Sequence, residues 1–460
     1  MTIDASLHTM TATQLAAGLR RKTFSATELC EASIARIEAL DGEVNAVVVR
    51  DFERARTEAR MADDALARGK AGPLAGIPMT VKESFDLRGH PTTWGFEMHR
   101  DHRAREDAFP VQRAKAAGAV VLGKTNVPPA LADWQSDNPI YGRTNNPHAL
   151  THSAGGSSGG SAAAIAMGFS ALELGSDIGG SVRVPAAFCG VFGHKTSYRI
   201  VSHLGHAAGG FEGEAPLLAV IGPIARSAAD LALLLEVVAA PDPEDFHNGL
   251  ILPRPRHGSL KSFRVLVLDQ HPAAKADDET LHAIDRFASD LAAEGASVTR
   301  KSSLLPDIGV SWRTYQAMLH TIITRDQVDP GGRQPISAHD WLGHLDMQLR
   351  IRRQWAAFFR HFDIVLCPAF GTPAFPHTAE ADWRKRPLLI NGEPSNFGAQ
   401  LGWAGIATVA NLPSTAIPLG VNAQGLPLAC QAIGPFLEDL TTIAFAGLSG
   451  RDVVAPRIAG

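Results

Sequence analysis

The chain has 460 residues, of which 45% are hydrophobic and 20% charged, and its formal net charge is −4. That length buries a large core, and the near-neutral balance excludes strong electrostatic attraction to nucleic acid or to an anionic membrane. No apolar run reaches the length of a membrane span, and MTIDASLHTM at the N-terminus lacks a signal-peptide core, so a cytoplasmic protein is expected.

Residues 11–40 predict two helices. Ser25-Ala26-Thr27-Glu28 has the capping-box pattern, and Leu29, Ile34, Ile37 and Leu40 follow at roughly helical spacing. A short strand is predicted over 45–49 and an Ala- and Arg-rich helix over 52–69, ended by Gly72-Pro73. Gly76-Ile77-Pro78-Met79-Thr80-Val81-Lys82-Glu83 reads as a short strand running into a lysine. A helix over 106–117 and a strand over 119–122 lead to Gly123-Lys124-Thr125-Asn126, and this alternation points to an α/β protein. Asn145-Asn146-Pro147-His148 is turn chemistry, and Ala162 to Phe169 is an apolar helix former. Further on, strands are predicted over 264–268, 297–299, 363–367, 415–419 and 428–433, with helices over 278–294 and 438–449. Residues 305–360, with Trp312, Tyr315, His320, Trp341 and Trp355, predict a helical and irregular part that shapes a pocket. No internal repeat or linker divides the chain, so one domain over 1–460 is expected, with a variable pocket-shaping region at about 305–395.

Two stretches stand apart chemically. Ser153-Ala154-Gly155-Gly156-Ser157-Ser158-Gly159-Gly160-Ser161 is followed by Ser176-Asp177-Ile178-Gly179-Gly180-Ser181-Val182-Arg183. Glycine admits positive φ and close approach of a ligand, and clustered N–H groups in such loops stabilise developing negative charge. Serines there are candidates for a nucleophile and its proton relay. Gly/Ser runs are often flexible linkers. Here each glycine-serine stretch runs straight into an apolar segment, Ala162 to Phe169 and Val182 to Phe192, which argues for packed structure. Lys82 becomes a candidate general base if burial lowers its pKa.

Other chemistries fit less well. Gly155-Gly156-Ser157-Ser158-Gly159 matches G-x-S-x-G, but the nucleophile turn of an α/β-hydrolase needs a strand before it, and residues 147–154 make a poor one. Gly123-Lys124-Thr125 lacks the upstream glycine of a phosphate-binding loop. His99 with His102, and His203 with His206, lack metal-ligand spacing and read as surface or pocket-wall residues. The cysteines, Cys30, Cys189, Cys367 and Cys430, form no CxxC pair and read as isolated buried thiols; apolar flanks argue against Cys189 as a nucleophile.

Taken together, these segments resemble the amidase signature family. Its G-I-P-x-x-V-K-(D/E), G-G-S-S-G-G-S and D-x-G-G-S-(I/V)-R-x-P segments all occur, in order, at Lys82, Ser157 and Ser181. The resemblance implies an α/β/α fold, a large mixed sheet covered by helices on both faces. It implies Ser181 as nucleophile, Ser157 as proton relay after a cis peptide bond with Gly156, and Lys82 as neutral base. It further implies an oxyanion hole from the N–H groups of Ile178, Gly179, Gly180 and Ser181, supported by Ser158, Asp177 and Arg183. An ion pair between Asp177 and Arg183 is an equally good structural account of those two residues. Leu131 corresponds to a residue whose backbone lines the acyl pocket in some relatives, and a core leucine is its other reading. Glu83 stands where many relatives have Asp.

The resemblance implies hydrolysis of a C–N bond with no organic cofactor and no metal. The expected substrate is a small-molecule amide, anilide or carbamate, with esterase side activity, the protein working as a monomer or homodimer. Trp312, Trp341, Trp355, Phe358 and Phe359 would favour an aromatic or bulky apolar substrate if they face the site. The alternative the family offers is the glutaminase subunit of a tRNA-dependent amidotransferase, which needs partner chains; a non-catalytic binding protein of the same fold is disfavoured by the intact triad positions.

Overall fold

The computed structural model describes residues 7–210, 213, 215–243, 250–324 and 335–456. Eleven strands form one mixed sheet: β1 (Val47–Arg50), β2 (Pro78–Lys82), β3 (Val120–Thr125), β4 (Leu172–Asp177), β5 (Phe192–Lys195), β6 (Val220–Ala225), β7 (Arg264–Val267), β8 (Ser297–Thr299), β9 (Ile364–Pro368), β10 (Ser414–Val421) and β11 (Pro427–Ile433). Their spatial order is β1-β3-β2-β4-β6-β5-β10-β11-β9-β7-β8. Strands β3, β2 and β4 run parallel, as do β9, β7 and β8; the remaining neighbours are antiparallel.

Side chains alternate across a strand, so a sheet covered on both faces divides its apolar residues between two cores. Val265, Val267, Ile364, Leu366, Cys430 and Ala432 join one core, while Leu266, Val365, Cys367 and Ile433 join the other. The covered mixed sheet expected from the resemblance is therefore present. Ser25 and Glu28 close the expected capping box at the start of the helix Ala26–Val44. All four cysteines are free and buried.

Two features differ from expectation, the strand at 149–153 and the place of three aromatic rings. Residues 149–153 do form a strand, paired with Asn145–Asn146 in a ladder of two strands outside the main sheet. The strand-turn-helix context of an α/β-hydrolase is thus still missing, because no strand of the main sheet leads into the loop. The expected pocket-shaping part contains the helices Ile308–Ile323 and Ala338–Phe358, with residues 325–334 outside the described set. Within it Trp355 stacks on Phe359, and Phe358 meets both rings edge-on, all three in the core. Packing among neighbours on one helical face absorbs these rings.

The parallel trio positions the site. Met79 pairs with Leu172 and Val81 with Leu174, so Lys82 and Asp177 come off the same, C-terminal ends of β2 and β4. Open α/β sheets bind ligands at that edge. Among the described residues, no helix is long and apolar enough to cross a membrane.

Candidate active site

Lys82 ends a strand whose every residue is buried, and its own side chain is fully shielded. Its Nζ lies 2.6 Å from Ser157 Oγ and 2.9 Å from Ser176 Oγ, with the Ser176 carbonyl at 3.5 Å. None of these partners carries a charge. Burial lowers the Lys82 pKa to about 7, against the opposing pull of Asp177 and Glu173. A large neutral fraction is therefore available near neutral pH, which a general base requires.

Ser157 follows Gly156 across a cis peptide bond, as the resemblance implies. Gly156 has no space for a side chain: a Cβ there would stand 2.2 Å from the Asp133 carbonyl oxygen. Ser136 lines the same loop, its Oγ donating to the Gly155 carbonyl at 3.3 Å and accepting from the Gly159 N–H at 3.0 Å. The Ser158 N–H donates to the Ser181 carbonyl at 3.1 Å, which joins the two serine loops. The Ser158 side chain makes a long contact, 3.5 Å, to the Ser176 carbonyl.

Ser181 sits in a turn organised by Asp177. That carboxylate accepts from the N–H groups of Gly180 (2.9 Å), Val182 (3.1 Å) and Arg183 (3.4 Å), and from Arg183 Nε (3.0 Å) and Nη2 (2.8 Å). Burial would raise the Asp177 pKa, but the Arg183 charge and hydrogen bonds outweigh it and hold the group at about 2. Arg183 continues to the Ala404 carbonyl, Gln431 and Thr408. The two residues thus form a buried ion pair, and they also shape the serine turn. Gly180 is the exception among the four expected oxyanion donors, because its N–H is already engaged by Asp177. The N–H groups of Ile178, Gly179 and Ser181 have no partner among the described residues. The carbonyls of this turn point away: Tyr315 Oη donates to Ile178 O at 2.8 Å and Trp134 Nε1 to Gly179 O at 3.0 Å. In the Ile178–Gly179 peptide this leaves the Gly179 N–H on the face opposite Tyr315, where it can meet a developing negative charge.

Leu131 is half-buried with φ 56°, after Ala130 at φ 57°; it is no core leucine. His206 is buried and so is no surface residue, packing against Phe85 and Trp94 with Nε2 3.0 Å from Ser84 Oγ. No group of three or more metal-ligating side chains occurs among the described residues. Burial pushes the Cys189 thiol up, away from a nucleophile's range. Sequence reasoning missed Ser176, although it stands beside Asp177 in the same motif. It also missed Asp133, Trp134 and Leu401, which reach the loops only through tertiary packing.

The family model described as Amidase matches residues 28–335 and 324–443. The A-type subunit of the glutamyl-tRNA(Gln) amidotransferase of Moorella thermoacetica is 34% identical over 479 residues, covering 94% of each chain. That of Chromohalobacter salexigens is 44% identical over 239 residues, where the match spans about half of either protein, 52% of this chain and 48% of the relative. Human fatty-acid amide hydrolase 2 is 30% identical over 93% of this chain and 86% of its own. A solved, inhibitor-bound chain from a vestigial protein complex connected with the origins of an s-triazine catabolic enzyme superposes with a TM-score of 0.84. It is 31% identical, over 97% of this chain and 100% of that one.

Proposed function

This chain belongs to the amidase family and is an enzyme acting on C–N bonds, and we propose that it does so through an acyl-enzyme on Ser181. The observation that carries the reading is Lys82: a buried amine with no counter-ion in hydrogen-bonding contact among the described residues, 2.6 Å from the hydroxyl of Ser157. Ser157 passes a proton to neutral Lys82 as Ser181 Oγ gives its own proton to Ser157 and attacks the carbonyl carbon. The oxyanion that forms is met by the N–H groups of Ile178, Gly179 and Ser181. The proton then returns from Lys82 through Ser157 to the leaving nitrogen, the C–N bond breaks, and water releases the acyl group by the same path in reverse. Asp177 and Arg183 keep the turn in shape, and Ser158 ties the loops together.

For the substrate, the reading is an uncharged, apolar amide, anilide or carbamate, with ester cleavage as a side activity, supported by the largely apolar packing around the serine turn. A Cβ added at Gly179 would meet Leu401 and Tyr315, and one added at Gly180 would meet Val184, Ala404 and Trp134. The charges beside the loops are spent on each other, Asp177 on Arg183 and Asp133 on Arg386. A second reading rests on the sequence relatives: several are A-type subunits of a glutamyl-tRNA(Gln) amidotransferase, which supports a glutamine-hydrolysing subunit working with partner chains and tRNA. The test is a panel of an aliphatic amide, an anilide, an aryl carbamate, a matched ester and glutamine, run beside Ser181→Ala. Turnover of the apolar substrates, absent from the variant, supports the stand-alone reading. Activity on glutamine alone, or on nothing without added partner chains, supports the second. Turnover that survives Ser181→Ala overturns both.

A further inference from the structure

The variable region meets the serine loops at several points, among them the Tyr315–Ile178 and Phe375–Ser153 hydrogen bonds, and it also reaches them indirectly through a buried arginine. Arg386 is 5% exposed. Its guanidinium grips both carboxylate oxygens of Asp133, with Nη2–Oδ2 at 2.9 Å, and its Nε and Nη2 donate to the Glu380 carbonyl at 3.0 and 2.9 Å. It also lies over the Phe397 ring, 4.8 Å from the centroid. Every face of the side chain is thus used inside the protein.

What Arg386 holds is the dipeptide Asp133-Trp134, and that dipeptide touches both serine loops. The Asp133 carbonyl abuts Gly156, the residue before Ser157. The Trp134 indole donates to the Gly179 carbonyl and stacks on Trp383, centroids 4.7 Å apart and planes at 29°. The Trp134 carbonyl accepts from Ser153 Oγ at 2.6 Å, and that oxygen accepts from the Gly155 N–H at 2.9 Å. One dipeptide therefore stands against the relay loop and the oxyanion turn together. Its own position depends on a fork-to-fork ion pair, which fixes orientation as well as distance.

We infer that Arg386 is a positioning residue: through Asp133 it sets the Ser157 loop and the Ser181 turn in register with each other. The inference rests on the reading of those serines given above, and it assigns to the 376–397 segment a part in the chemistry as well as in shaping the pocket. A reaction that needs atoms aligned at near contact loses about a hundredfold in rate from a displacement of roughly 1 Å. A surface or purely stabilising ion pair has no such effect on the folded fraction.

The experiment measures the rate at which a fluorophosphonate probe labels the purified full-length protein, since this needs no knowledge of the substrate. Arg386→Met and Asp133→Asn are each expected to label about 100-fold more slowly, and the double variant no more slowly than either. Arg386→Lys, which keeps the charge without the fork, falls between them and the wild type. Thermal unfolding is followed on every variant, and rates are taken on folded protein. The proposal is overturned if Arg386→Met, or Arg386→Lys where the former does not fold, labels at the wild-type rate, or if the single effects add in the double variant. Failure of the wild type to label, or labelling that persists in Ser181→Ala, sinks the nucleophile reading instead, so the two failures are separable.

Discussion

Two lysines of one sheet, Lys82 on β2 and Lys195 on β5, are both fully buried, and burial lowers each to about 7. By titration alone they are the same residue. Their partners differ. Lys195 Nζ donates to the carbonyls of Thr196 (3.0 Å) and Leu412 (2.8 Å), oxygens that accept a hydrogen bond and have no proton to give. Lys82 faces two hydroxyls, and one belongs to the loop that meets Ser181. A perturbed pKa marks a candidate; a neighbour able to trade protons makes a base of it.

The largest expected effect separates the pair directly. Lys82→Ala should slow fluorophosphonate labelling by at least about 10⁴-fold, the scale seen when a member of a catalytic triad is removed. Lys195→Met should leave the labelling rate of folded protein unchanged while lowering stability by about 1–3 kcal/mol, because two buried carbonyls lose their donor. A fall in labelling as large for Lys195→Met would erase the distinction.

The pH dependence sharpens it. Protonated Lys82 cannot accept a proton, so the labelling rate should decline about tenfold per unit as pH falls below about 7 and level off above. The same limb should persist in Lys195→Met, and its disappearance there would mean that the wrong lysine was chosen. Stability runs on a different window. Both groups sit below the ordinary value of 10.5. Between about 7 and 10.5 the unfolded chain therefore binds more protons, and stability gains from each lysine as pH rises through that range. Lys195→Met should remove its share of this slope in urea titrations at pH 7 and 10. The smallest expected effect is Ser176→Ala, which removes one of the two hydroxyls at Lys82 and should slow labelling about five- to tenfold.

The half of the site that was legible in sequence is local. Gly-Gly-Ser and Ser-Asp-Ile-Gly-Gly-Ser are contiguous, their geometry is set within a few residues, and Gly76 to Glu83 reads as a short strand running into Lys82. What escaped was decided across long separations. Asp133 meets Arg386, and Tyr315 meets Ile178, only after the sheet has assembled. The aromatic residues illustrate the limit. Trp355, Phe358 and Phe359 share a helical neighbourhood, as pocket residues also would, and packing sends them to the core. Trp134, embedded in a polar stretch with no periodicity, is the ring that reaches the turn. The commitment of the Gly180 N–H to Asp177 was hidden for another reason: a motif names residues and does not show which way each peptide plane faces.

Lys82, both serine loops and Arg183 all fall within residues 78–183, an unbroken run of chain. A chimera that keeps this run and borrows its later segments from a relative would look like a simple way to exchange substrate range. The cross-links say what such a graft must carry with it. Arg183 is anchored on Ala404, Thr408 and Gln431, and Ile178 on Tyr315. A donor segment lacking equivalents of these four would deliver a new pocket beside a turn that keeps Asp177 and Trp134 but has lost its outer anchors.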